Sequence, residues 1–143
     1  MEMHALLSYT KLMTKHYYSL SEAEALLPEI SQKMALLQQA RQDIALRHLK
    51  LAQWQDNNST SESQVFQLEA EIEFIILSAR QQIESLHNLC IEIKDISQGI
   101  VDFLTVVDGV EGYLCWRQGE RRILYWHGLD EGYAGRKRLM KRS

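Results

Sequence analysis

This chain is poor in the residues that mark specialised chemistry. It has one proline, Pro28, and two cysteines, Cys90 and Cys115. The cysteines are far apart and show no Cys-x-x-Cys spacing, so they read as reduced, core-type thiols in a reducing compartment. No run of about 18 apolar residues exists, which leaves no transmembrane span. The first ten residues carry no basic stretch and only a short apolar run, unlike a signal peptide. The expected location is therefore the cytoplasm, with Met1 or Met13 as the natural start. A net charge of -3 gives no global electrostatic case for nucleic acid or membrane. Arg121, Arg122 and the basic tail are the one nucleic-acid candidate, and the acidic helices argue against it. No Gly-x-Gly-x-x-Gly or Walker pattern is present, so a nucleotide is not indicated.

What the chain does have is amphipathic helix, followed by a dense C-terminal third. With 143 residues, 45% hydrophobic, it is long enough for one domain with a real core. Ser19-Leu-Ser-Glu-Ala-Glu24 is a helix start, with a capping box from Ser19 and Glu22 or from Ser21 and Glu24. Ala23, Ile30, Leu37, Ile44 and Leu51 then recur every seven residues, predicting a helix from about 20 to about 55. Pro28 should kink or loosen its first turns. Residues 56–62 are polar turn material. A second stripe, from Val65 through Ile72 and Ala79 to Cys90, predicts a helix from about 62 to 92. The short loop makes the pair an antiparallel hairpin.

From Val101 the period changes to that of a strand. Asp108-Gly109 is a type I′ turn signal and Gln118-Gly119-Glu120 a second turn. The reading is a three-stranded antiparallel meander of 100–107, 110–117 and 121–127. The domain then spans 17–137, between an N-terminal extension (1–16) that is poorly committed to any fold and a basic tail (138–143). The first turn sets Phe103 opposite Leu114 and Asp102 opposite Cys115. If the second turn is a two-residue loop, one apolar face carries Val101, Phe103, Leu114, Trp116, Ile123, Tyr125 and His127. The other, mixed face carries Asp102, Leu104, Tyr113, Cys115, Arg117, Arg122, Leu124 and Trp126.

Length adds an inference about assembly. A helix of about 30 residues spans about 45 Å, and a strand of seven about 23 Å. So small a sheet cannot cover both helical stripes. The apolar residues near the hairpin tip need another partner, and the expectation is a homodimer of hairpins. Folding of residues 1–18 over the tip is the alternative.

Several segments resemble a known family. They are Tyr18-Ser-Leu-Ser-Glu-Ala-Glu-Ala-Leu-Leu-Pro28, Lys94-Asp95, Gly99-Ile-Val-Asp-Phe103, Leu114-Cys-Trp-Arg-Gln-Gly-Glu120 and Trp126-His-Gly-Leu-Asp-Glu-Gly-Tyr-Ala-Gly-Arg136. Together they resemble the bacterial domain of unknown function family 2203, over about residues 17 to 137. Leu104 departs from it, since the family often places proline after Asp-Phe. The resemblance implies no activity or cofactor.

The candidate chemistry gathers in the same third. His127, Asp130 and Glu131 offer an imidazole and two carboxylates to a divalent metal, with Asp102 as a further ligand. The plainer reading is a hydrogen-bonded histidine beside a turn. Arg117, Arg122 and Arg136 suit a small anion, whereas Asp102 and Arg117 could equally form a structural ion pair. Glu84-x-x-His87 resembles half of a di-iron motif, but only one copy exists. Cys115 lacks a histidine base if His127 points to the other face. The leading functional reading is a non-enzymatic dimeric module that binds a protein partner or small anion. Its site would be the mixed sheet face and the 127–136 loop, with Asp102, Arg117, Trp126 and Arg136 as ligand-binding residues. The alternative is a metal-binding protein or small metal-dependent enzyme using His127, Asp130 and Glu131.

Overall fold

The computed structural model describes residues 14–57 and 60–139. Met13, Met140–Ser143 and most of the N-terminal extension lie outside the described residues. The fold is α+β: two long helices followed by an antiparallel sheet.

Helix α1 spans Leu20–Asn57 and helix α2 spans Glu62–Asn88. Ser19 and Glu22 form the first capping box, each backbone amide donating to the other's side chain at 3.1 Å. Ser61 and Gln64 cap α2 in the same way. Helix α1 continues through Pro28, which sits two turns from its start on an exposed position. The ring removes one hydrogen bond there without ending the helix.

Helix α2 stops four residues earlier than its periodicity predicts. Cys90 takes φ 62°, the left-handed region usually reserved for glycine. No glycine announces this stop in the sequence. The chain turns directly into strand β1, Ile91–Asp95. Strands β2 (Ile100–Val107) and β3 (Val110–Arg117) follow, then β4 (Tyr125–Gly128), a 3₁₀ turn at Tyr133–Gly135, and β5 (Lys137–Arg138). The sheet is thus five-stranded, in the order β1-β2-β3-β4-β5, and the expected three-stranded meander gains a strand at each edge.

Asp108 and Gly109 both have positive φ, as a type I′ turn demands, and Val107 pairs with Val110. The expected register holds: Asp102 is opposite Cys115 and Phe103 opposite Leu114. The third strand differs. Residues 118–124 form a long connection rather than a two-residue turn. Trp116 Nε1 donates to the Glu120 carbonyl (2.9 Å), and Glu120 Oε1 accepts from the Arg117 amide (2.7 Å). The Ile123 amide reaches Glu24 Oε2 on α1 (2.9 Å), and its side chain is fully buried. The strand begins only at Tyr125, with parity opposite to the expected one. Trp126 pairs with Leu114 and His127 with Tyr113. Directly opposed residues share a face, so Trp126 lies on the apolar face and His127 on the mixed one.

The core is the apolar face of the sheet packed on the sheet-proximal parts of both helices. Ile91, Val101, Phe103, Leu114 and Trp116 meet Leu27, Ile30 and Met34 of α1 and Leu86 of α2. The residues just before α1 fasten to the sheet edge. The Tyr18 amide donates to the Leu104 carbonyl (2.7 Å), Thr105 Oγ1 to the Tyr18 carbonyl (2.7 Å), and Lys15 pairs with Glu111 (3.0 Å). Thr14–Tyr18 therefore lies on the sheet, away from the hairpin tip.

Gly112 sits where β3 passes β4. A Cβ there would come within 2.7 Å of the His127 carbonyl and 3.2 Å of the Trp126 ring. The obstacle is backbone, which cannot rotate away. Gly112→Ala should cost about 1–3 kcal/mol and displace β4. Thermal melts against wild type check this, and an unchanged melting temperature would contradict the packing.

Candidate functional site

The mixed sheet face holds two rows across the central strands. Leu104, Tyr113 and His127 form one, and Asp102, Cys115 and Tyr125 the other. Asp102 on β2 and His127 on β4 are separated by β3, roughly 10 Å backbone to backbone. Their side chains meet above β3, with His127 Nε2 2.9 Å from Asp102 Oδ2. Cys115 has a small side chain, so it leaves room for that contact. Asp102, His127 and Cys115 are all buried, and one ligand-type atom from each lies within 4.8 Å of the others.

The protons can be placed from the hydrogen bonds. His127 Nδ1 lies 2.9 Å from the Gly128 carbonyl, which only accepts. Nδ1 therefore carries hydrogen and points Nε2 at Asp102. One proton then lies between Nε2 and Asp102 Oδ2. Burial pushes the Asp102 carboxyl upward, with His127 working against the shift. Asp102 Oδ1 is buried with no hydrogen-bond partner within ordinary distance, and the Cys115 thiol is a weak donor to the carboxyl group. Burial, followed by the charge of Asp102, pushes the Cys115 thiol up to about 12. Unaided, Cys115 is a thiol at neutral pH, and His127 is engaged by Asp102. Nucleophilic catalysis by a free thiolate is not what this arrangement provides.

A cleft of about 470 Å³ lies over the Asp102–His127 pair, with Cys115 beneath the pair and outside the lining. Asp102 and His127 line it, together with Lys94, Tyr113, Leu129 and Tyr133. The 128–136 loop forms one wall. Glu131 holds that loop in shape: its Oε1 accepts from the Gly128 amide (2.9 Å) and from Lys137 Nζ (3.0 Å). Those two bonds, the backbone one foremost, hold its carboxyl below the usual range.

The other predicted residues are placed differently. Asp130 is exposed and Glu131 is engaged in its loop, so neither joins His127 in a three-ligand group among the described residues. Arg136 is almost enclosed, 2.7 Å from Glu120 Oε2 and stacked 3.9 Å from the Tyr125 ring and 4.5 Å from the Tyr133 ring. Arg122 lies 3.8 Å from Glu24. Arg117 is exposed and hydrogen-bonds Tyr133 (3.3 Å), so the expected Asp102–Arg117 ion pair does not form. Among the described residues the three arginines point to different partners, Glu120, Glu24 and Tyr133. Trp126 packs on the core, with Lys137 Nζ 4.9 Å above its ring, and does not face the cleft.

Cys115 was the site residue set aside in the sequence, because His127 was assigned to the opposite face. Lys94 lines the cleft although the sequence singles it out for no site, since the predicted second helix runs to about residue 92 and no strand is expected before residue 100. The alternation of β1, Ile91-Glu-Ile-Lys-Asp95, was the available signal. The Leu86–Cys90 continuation of the helical stripe masked it.

The family model described as an uncharacterized conserved protein, DUF2203, matches residues 16–139. The chain belongs to that family. No curated protein and no solved structure matches this DUF2203 chain. The match takes in both helices and all five strands, so cleft and hairpin belong to one family domain. No described helix of the DUF2203 domain is long and apolar enough to cross a membrane.

Proposed function

We propose that this DUF2203 protein is a metal-binding domain that holds one transition-metal ion, of zinc type, on Asp102, Cys115 and His127. The ion would keep one coordination position open to the cleft. The observation that carries this reading is the convergence of oxygen, sulfur and nitrogen donors within 4.8 Å, fully buried. Zinc accepts this mixture, and three protein ligands plus an open position is the pattern of its reactive sites. Support also comes from His127 Nδ1, held by a backbone carbonyl as metal-bound histidines usually are. The partnerless Asp102 Oδ1 is a further reason, since a cation would satisfy it.

Binding would displace the proton shared by His127 and Asp102 and the thiol proton of Cys115. The two resulting negative charges would offset the ion. The cleft, walled by Tyr113, Leu129 and Tyr133, would admit a small ligand to the open position.

Metal analysis of purified protein tests the reading. Zinc-supplemented protein should keep about one ion per chain after desalting. Cys115→Ser and His127→Ala should each lose it. Cobalt loading should give a thiolate charge-transfer band that disappears in Cys115→Ser. Protein that takes up neither zinc nor cobalt while fully folded would end the proposal.

A further inference from the structure

The helical hairpin outruns its own sheet. Helix α1 has no buried residue beyond Leu37, although it continues to Asn57. Leu36, Leu46, Leu49, Phe66, Phe74 and Leu77 are each more than half exposed. Together they leave on the order of 600 Å² of apolar side chain in water. The largest apolar patch of an ordinary monomer is about 300–600 Å², and patches of that size are often functional.

One part of this surface has a definite shape. A groove of about 260 Å³ runs between the helices, with Leu36, Leu37 and Ala40 on one wall and Phe74, Ile75 and Ala79 on the other. Phe74, which is 71% exposed, stands on its rim. A hole and a knob on one surface are what a two-fold interface requires, because each copy offers both.

Charge identifies the occupant. Residues 38–57 of α1 carry three basic side chains and two acidic ones, and with Arg47 already paired to Glu71 of its own chain (3.3 Å), Arg41 and Lys50 are left to face a partner. Helix α2 carries five acidic side chains and one basic, Arg80. Packing α2 on α2 would set acid against acid. Packing α1 of one copy on α2 of the other sets the basic stretch against the acidic helix at both ends of a two-fold pair.

We propose that the hairpin face docks a second copy of this chain, α1 against α2 of the partner, with Phe74 of each copy seated in the other's groove. About 800 Å² per partner makes a standard interface, and the exposed apolar surface together with its polar surroundings can supply it. The inference is independent of the metal site, which lies on the far face of the sheet from the helices.

Light scattering on eluting protein is the test, run with and without a chelator. The wild type should have the mass of a dimer in both. Phe74→Lys and Leu36→Lys should each weaken the dimer about 30-fold or more with helical circular dichroism unchanged. Reversing charge on α1 (Arg41→Glu with Lys50→Glu) or on α2 (Glu69→Lys with Glu73→Lys) should weaken each protein alone. An equimolar mixture of the two should restore dimers. A monomeric wild type at its highest soluble concentration overturns the proposal and leaves the face to residues 1–13 or to a different protein. A dimer that survives both lysine variants, or one lost only with the chelator, overturns it too. Failure of the mixture to restore dimers overturns the α1-on-α2 arrangement.

Discussion

His127→Ala is expected to melt roughly 10 °C below wild type, measured with a chelator present so that metal plays no part. His127 and Asp102 are both buried, at 2% and 1% side-chain exposure, and are joined by one 2.9 Å bond. Removing the imidazole leaves a buried carboxyl group with only the weakly donating Cys115 thiol beside it. Breaking a buried pair in this way costs about 3–5 kcal/mol. The Asp102→Ala, His127→Ala double variant should lose less than the sum of the two single losses, because each single change already removes the shared bond. pH gives a second signature. Burial raises the folded-state pKa of Asp102 above its unfolded value. The folded protein then binds this proton more tightly, so the linked stability is present at low pH and is lost as pH rises through the folded value. Without His127 the opposing influence is gone and the shift grows. The gap between variant and wild type should therefore narrow as pH falls through the carboxylate range. A loss below about 1 kcal/mol, or a gap that widens on acidification, would contradict the buried pair.

The second large effect is at Phe103. Its side chain is fully buried, opposite Ile91 on one side and Leu114 on the other, and it meets the Tyr18 ring edge-on at 5.7 Å. It lies in the apolar layer that joins the sheet to the helices. Phe103→Ala should cost about 3–5 kcal/mol, the loss of apolar burial plus the cavity left behind. Denaturant titration measures it. Because Tyr18 holds the start of α1 to Leu104 and Thr105, the loss should also loosen that attachment. Amide exchange at Tyr18 should rise in the variant. A stability within 1 kcal/mol of wild type, read with the ordinary error of such titrations, would show that this layer repacks.

The proposed metal site at Cys115 and His127 and the proposed docking of Phe74 concern different surfaces. Either stands without the other.

The helical hairpin, the capping at Ser19, the type I′ turn and the pairing of β2 with β3 could be read without any tertiary information. All of these are local. A seven-residue apolar repeat describes one side of one helix, a capping box closes within four residues, and Asp108-Gly109 fixes the register of the strands beside it. The family was also legible, from short motifs of fixed order.

The site was legible only as a list of residues. Its assembly depended on the parity of β4, and parity is set by the path of residues 118–124. That path is decided at long range, by the hydrogen bond of Ile123 to Glu24, ninety-nine residues away in sequence, and by burial of Ile123 against the helices. One residue of slippage exchanges the two faces of a strand. It moved Trp126 into the core and brought His127 over β3 to Asp102 and Cys115. The early end of α2 at Cys90, with φ 62°, was equally silent, because a left-handed cysteine leaves none of the marks of a glycine. Local rules produced the elements, whereas tertiary contacts between α1 and the β3–β4 connection decided which side chains meet.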